Sequence, residues 1–193
     1  MRKKITAVAL LVILISLLAL GSAAYFTVDG RATNVVSTGG ITMSLDEKGP
    51  WTGGNGVYTL DRTLMPGQTA QKVVSIINDG SQEAFYTRVS VEISILDGQG
   101  NAMPDDYDIY IDLDFNAADW TYRDGWWYYN AAVEAEQSSE PVFTHVLLTP
   151  GTPNEMKNAQ VALIVRAQAV QAKNNPIPAG GTVAGDISGW PEN

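Results

Sequence analysis

Residues Phe85–Leu96 change character at every step. Phe85, Thr87, Val89, Val91, Ile93 and Ile95 fall on one side of an extended chain, and Tyr86, Arg88, Ser90, Glu92 and Ser94 on the other. A period of two is the mark of a half-buried antiparallel strand, whereas a helix would scatter such a pattern around its axis. Tyr107, Ile109, Ile111, Leu113 and Phe115 predict a second strand of this kind, with Asp108, Tyr110, Asp112 and Asp114 facing out. Val161, Leu163, Val165, Ala167 and Ala169 predict a third, and Ile164 on its other side points to partial burial of both faces. β-Branched runs at 72–77 and 142–148 add two more. Turn signals separate these runs: Gly53-Gly54-Asn55-Gly56, Pro66-Gly67, Asp79-Gly80, Asp97-Gly98, Asp124-Gly125 and Pro150-Gly151. Short strands closed by such turns define an all-β chain, an antiparallel β-sandwich of jelly-roll type rather than a βαβ sheet. Helix is expected at most as a turn or two within 131–138, and residues 174–193, rich in Gly and Pro, as a loose terminal strand or coil.

One hairpin can be built residue by residue. Asp124-Gly125 suits a two-residue type I′ loop, in which both central residues take positive φ. Closing it places Arg123 opposite Trp126, Tyr122 opposite Trp127 and Trp120 opposite Tyr129. Cross-strand aromatic pairs of this sort contribute about 0.2–1 kcal/mol each.

The start of the chain predicts export. Met1-Arg2-Lys3-Lys4 is basic, Ile5 to Leu20 is an apolar run of 16 residues, and Gly21-Ser22-Ala23-Ala24 offers small residues for a signal peptidase cutting between Ala24 and Tyr25. The run is shorter than the ~20 residues of a spanning helix, which makes a retained anchor the lesser alternative. The expected organisation is an N-terminal signal helix at 1–24, a strand-like segment at 25–40 and a sandwich domain at 41–193. Removing the leader from 193 residues leaves 169, enough for one domain with a core of its own.

Charge and composition narrow the function. The formal net charge of −9 becomes −12 once Arg2, Lys3 and Lys4 leave with the signal. A polyanion repels nucleic acid and anionic headgroups, so nucleic acid is not an expected partner, and the membrane enters only through the uncleaved signal. The chain has no cysteine, which excludes thiolate nucleophiles and thiolate metal sites. His145 is the only histidine and lies in a strand-like run; no Gly-x-Ser-x-Gly, His-Glu-x-x-His or phosphate-binding loop occurs. The chain is expected not to be an enzyme and to need no cofactor.

From the leader onward the sequence resembles the TasA/camelysin family of Gram-positive bacteria. The resemblance rests on the Ala23-Ala24-Tyr25-Phe26 junction, Ala32-Thr33-Asn34, the Gly39-Gly40 turn and Ile41-Thr42-Met43-Ser44-Leu45. It continues through Leu64-Met65-Pro66-Gly67-Gln68-Thr69, Ile77-Asn78-Asp79-Gly80-Ser81, Arg123-Asp124-Gly125-Trp126-Trp127-Tyr128-Tyr129, and the stretch 166–172. What the resemblance implies is a precursor cut by a dedicated signal peptidase. It also implies a secreted subunit that assembles into extracellular fibres, the N-terminal strand of one copy completing the sandwich of the next. Its place would be the cell surface or biofilm matrix, and its partner another copy of itself (a homopolymer) or a paralogous fibre subunit.

Three groups of residues are the functional candidates. Tyr25, Phe26, Val28, Val35 and Val36 are the donor-strand anchors, because a strand freed at a chain end can add to an open sheet edge. The competing arrangement folds 25–40 back as the first strand of its own domain. Trp120, Tyr122, Trp126, Trp127 and Tyr129 are candidate ligand aromatics of a monomeric cell-surface binding module for a glycan or host ligand; the opposing reading is a hairpin whose rings cover the core. Asp108, Asp112 and Asp114, with Asp105 and Asp106 nearby, are a weak candidate for Ca²⁺, which takes 6–8 oxygens. A camelysin-like metallopeptidase is the least supported alternative, since one histidine cannot supply the usual zinc ligands.

Overall fold

The computed structural model describes residues 28–37, 43–49, 51–54, 57–60 and 64–191. The expected signal segment 1–24, the Ala24/Tyr25 bond and Phe26 lie outside the described residues. The described strands are β1 (Val28–Ser37), β2 (Ser44–Lys48), β3 (Trp51–Gly54), β4 (Val57–Leu60), β5 (Thr69–Ile77) and β6 (Phe85–Leu96). They continue with β7 (Ile111–Leu113), β8 (Trp120–Arg123), β9 (Trp126–Tyr129), β10 (Phe143–Leu148) and β11 (Gln160–Gln171). A five-stranded sheet has the order β1-β11-β6-β9-β8, a four-stranded sheet the order β2-β5-β10-β7, and β3 pairs with β4 alone. Among the described pairings only β1–β11 is parallel. The chain is all-β, and its two larger sheets share one core.

That core follows from the alternation. β6 and β11 pair along their whole length, from Phe85 with Gln171 to Leu96 with Gln160. Their inward residues, Phe85, Val89, Ile95, Val161, Leu163 and Val165, meet Val74, Ile76, Phe143, Val146 and Leu148 of the second sheet. Each such side chain contributes about 1.5–3 kcal/mol by leaving water. Pro66-Gly67 turns the chain into β5, with Gly67 at φ 84° and Gln68 N–H donating to Met65 O at 2.9 Å. Positive φ at the residue after proline is the type II arrangement, which glycine adopts without a Cβ clash.

Three expectations are corrected. Residues 107–115 are not one strand: Asp105–Tyr110 is a 3₁₀ helix and only Ile111–Leu113 joins the sheet. Pro104 precedes that helix, and three aspartates sit in its first turn, where negative charge is favoured. A 3₁₀ helix superposes residues three apart. Tyr107 and Tyr110 accordingly pack together, ring centroids 6.0 Å apart, against the core, while Ile109 is exposed. Residues 131–138 form no helix and instead place Val133 against Phe85 and Ser138 against Ile77 as single bridges. The tail is not loose. Its helical turn Val183–Asp186 buries Val183, and Ile187 and Trp190 join a second small core with Trp126, Tyr128 and Val170.

Candidate functional site

β1 is the outer strand of the five-stranded sheet. Val28 is level with Val161 and Ala32 with Val165; the register then slips, so that Val35 is level with Ala167, Val36 with Gln168 and Ser37 with Ala169. Thr33 and Asn34 thus stand opposite Arg166 alone, a β-bulge that locally breaks the ladder. Parallel hydrogen bonds are slanted and slightly weaker per residue than antiparallel ones. β4 lies alongside β1 but belongs to the separate two-stranded sheet. Of the expected donor anchors, Val28, Val35 and Val36 therefore pair with their own chain, while Tyr25 and Phe26 lie outside the described residues. Within this single chain, Val28–Ser37 is paired with β11.

At the opposite edge of the same sheet, β8 and β9 pair Trp120 with Tyr129, Tyr122 with Trp127 and Arg123 with Trp126. Asp124 and Gly125 both take positive φ, 49° and 83°. The ring centroids of Trp120 and Tyr129 are 5.1 Å apart, and those of Tyr122 and Trp127 5.2 Å apart. Register, loop and pairs are as expected, and most of the rings are turned into the protein. Trp120 is 1% exposed, its indole N–H donating to Glu140 O at 3.1 Å. Trp127 stacks on Phe115 at 4.4 Å and Tyr129 packs on the core. Trp126 is 9% exposed on the other face, which leaves Tyr122, at 60%, as the one openly exposed ring of the five.

Trp126 is covered by residues that sequence patterning did not connect. Arg88 lies 4.3 Å from the Trp126 ring and 4.8 Å from that of Trp190, so the guanidinium is held between two indoles. It donates to Gln168 Oε1 at 2.8 and 2.6 Å and to the Tyr128 hydroxyl at 3.0 Å. Arg123 adds a hydrogen bond to Ala184 O at 2.9 Å, fastening the hairpin tip to the tail. The only signal in the sequence was an arginine on the outward side of β6; its partners come from three distant segments.

The acidic residues do not converge. Asp108 is on the 3₁₀ helix, Asp112 faces outward on β7, and Asp114 is engaged with β10. Asp114 accepts from the Thr144 and His145 backbone N–H groups at 2.7 and 2.6 Å and lies 3.2 Å from the His145 ring nitrogen Nδ1. Burial pushes its carboxyl up, but the Thr144 hydroxyl, the two N–H groups and the His145 ring outweigh this and hold it below the usual 3.8. Asp114 anchors the start of β10, and His145 is a strand residue whose ring is hydrogen-bonded. Among the described residues no three His, Asp or Glu side chains are grouped to hold a metal ion. A cleft of about 110 Å³ beside Glu92, Ile95, Met103, Asp105 and Asp108 is smaller than the ~300–1,000 Å³ of typical small-molecule sites. No protein-family model, curated protein or solved structure matches this chain.

Proposed function

We propose that this chain is an exported structural subunit, of the kind the TasA/camelysin resemblance implies, which polymerises into cell-surface or matrix fibres by donating its N-terminal strand. In this reading a signal peptidase frees Tyr25, and the segment through Val36 adds to the open sheet edge of a neighbour, completing a jelly-roll-like sandwich. The observation that carries the reading is the attachment of β1. It is the one parallel strand among the described pairings, it has a single ladder neighbour, and a bulge interrupts that ladder. Removing it leaves the antiparallel pairings of both larger sheets intact. A strand added head-to-tail does not close a ring, and so yields filaments.

The mature chain beginning at Tyr25 is expected to form filaments visible by electron microscopy and to scatter light in proportion to their growth. Deleting residues 25–36 should leave a folded monomer by circular dichroism that does not polymerise. Persistent monomer from the intact mature chain at high concentration would overturn the proposal.

A further inference from the structure

We propose that an unpaired stretch of β6, with the acidic cleft beside it, is a docking site for a cationic extended segment of a partner protein, bound as an added strand. The site goes beyond the strand-donating reading above and uses no part of β1. Each residue of an antiparallel strand turns its N–H and C=O toward one neighbour, and alternate residues face the same side. On the side of β6 away from β11, Phe85 N–H donates to Val133 O at 3.2 Å and Ile95 O accepts from Met103 N–H at 2.9 Å. Asp97 N–H, in the same alternation, donates to Asn101 O at 2.8 Å. Val91 and Ile93 fall between these residues at the same spacing, so their backbone groups face that side too. β9 meets β6 only at Arg88 and Val89, and Ala102 bridges to Leu96. Between those contacts, residues 90–94 have no partner strand on this side among the described residues. Burial along β6 dips at the same place: Val89 and Ile95 are buried, whereas Val91 and Ile93, on the same face, are half-buried.

The opening takes about five residues of extended chain, or ~17 Å. Both flanking segments run antiparallel to β6, so a strand continuing their lane starts beside Met103 and ends beside Trp126. Its residues opposite Ile93 and Val91 share the face of those side chains, and apolar ones there complete their burial. Its other residues share the face of Glu92 and Ser94, where the cleft of about 110 Å³ also takes in Asp105 and Asp108. Glu92 already holds Arg166 at 2.9 Å. Asp105 and Asp108 have no ion pair among the described residues, which leaves them to meet an incoming Lys or Arg. The chain itself has a formal net charge of −9, so its field favours a basic partner over a second copy. In strand addition of this kind the ladder supplies affinity and the alternate side chains supply specificity.

The probe is a capped pentapeptide, Lys-Val-Lys-Val-Thr, whose valines fall opposite Ile93 and Val91. It should bind the dilute mature chain by fluorescence anisotropy. At saturation it should slow amide exchange at Val91 and Ile93 about 10-fold or more, leaving Glu92, whose N–H faces β11, unchanged. Methylating the two valine nitrogens keeps charge and side chains but removes the ladder donors, and should weaken binding by ~10-fold or more. The charge-reversed peptide Glu-Val-Glu-Val-Thr should also bind ~10-fold or more weakly, and Asp105→Asn/Asp108→Asn should narrow that difference. No binding of the lysine peptide, binding without protection of Val91 and Ile93, or undiminished binding of the methylated form would overturn strand addition at β6. Equal binding of the two charge forms would overturn the cationic partner. Protection of Val91 and Ile93 that rises with protein concentration and needs no peptide would overturn it as well, and assign the site to a second copy. Whether the chain forms fibres is read separately, by electron microscopy without peptide, so failure of one reading leaves the other standing.

Discussion

The two edges of the five-stranded sheet are built on opposite principles. At one edge, β8 and β9 are joined by Asp124-Gly125, pair antiparallel, and are covered on one face by the main core and on the other by Arg88 and the tail. At the other, β1 is parallel, bulged and tied to β2 by residues 38–43. The first closes a short loop and is fixed by packing on both faces. The second joins the start of the described chain to its last long strand, with β4 alongside. A hairpin covered on both faces adds side-chain burial to its ladder, and that is what anchors the β8–β9 edge.

The sharpest way to break this contrast is at Trp120. Trp120→Ala removes a buried indole and its hydrogen bond to Glu140, and should lower unfolding free energy by about 3–5 kcal/mol in denaturant titrations. A loss under about 1 kcal/mol would mean that the Trp120 indole does little to anchor the hairpin. Arg88→Met is the next test, since it keeps much of the aliphatic bulk but removes the charge between Trp126 and Trp190. It should cost about 1–3 kcal/mol and raise amide exchange in residues 183–190, while leaving exchange in β1 unchanged. The smallest effect belongs to Asp114→Asn in the other sheet. Because the folded carboxyl lies below 3.8, its contribution is complete above about pH 4 and is lost as pH falls through the folded value. Its side chain is nearly half exposed, so solvent screening limits the loss at pH 7 to about 1 kcal/mol or less. The gap between wild type and variant in thermal unfolding should narrow below pH 4 and leave both edges of the larger sheet unaffected.

What could be read from the sequence was what is local. The Asp124-Gly125 loop dictates its own register, so the aromatic pairs followed without any knowledge of the rest. β6 and β11 were readable because one buried face imposes a period of two. Residues 107–115 carried the same period and yet begin as a 3₁₀ helix: Pro104 and the aspartates after it favour a helical start, and Tyr107 and Tyr110 reach the core from there. The tail misled by composition, since its Gly and Pro content conceals Val183, Ile187 and Trp190, whose partners lie on β6, β9 and β11. The pairing of β1 with β11 is not encoded in any local pattern, because its partner lies near the other end of the chain.

The clamp around Arg88 has a practical consequence. Trp126 and Trp190 flank one guanidinium, and Tyr128 meets Trp190 edge-on at 5.5 Å. Lifting the last segment off the sheet would expose both indoles to water at once and shift their emission to longer wavelength. The molecule thus carries its own optical gauge of whether its C-terminal strap is seated, with no dye required.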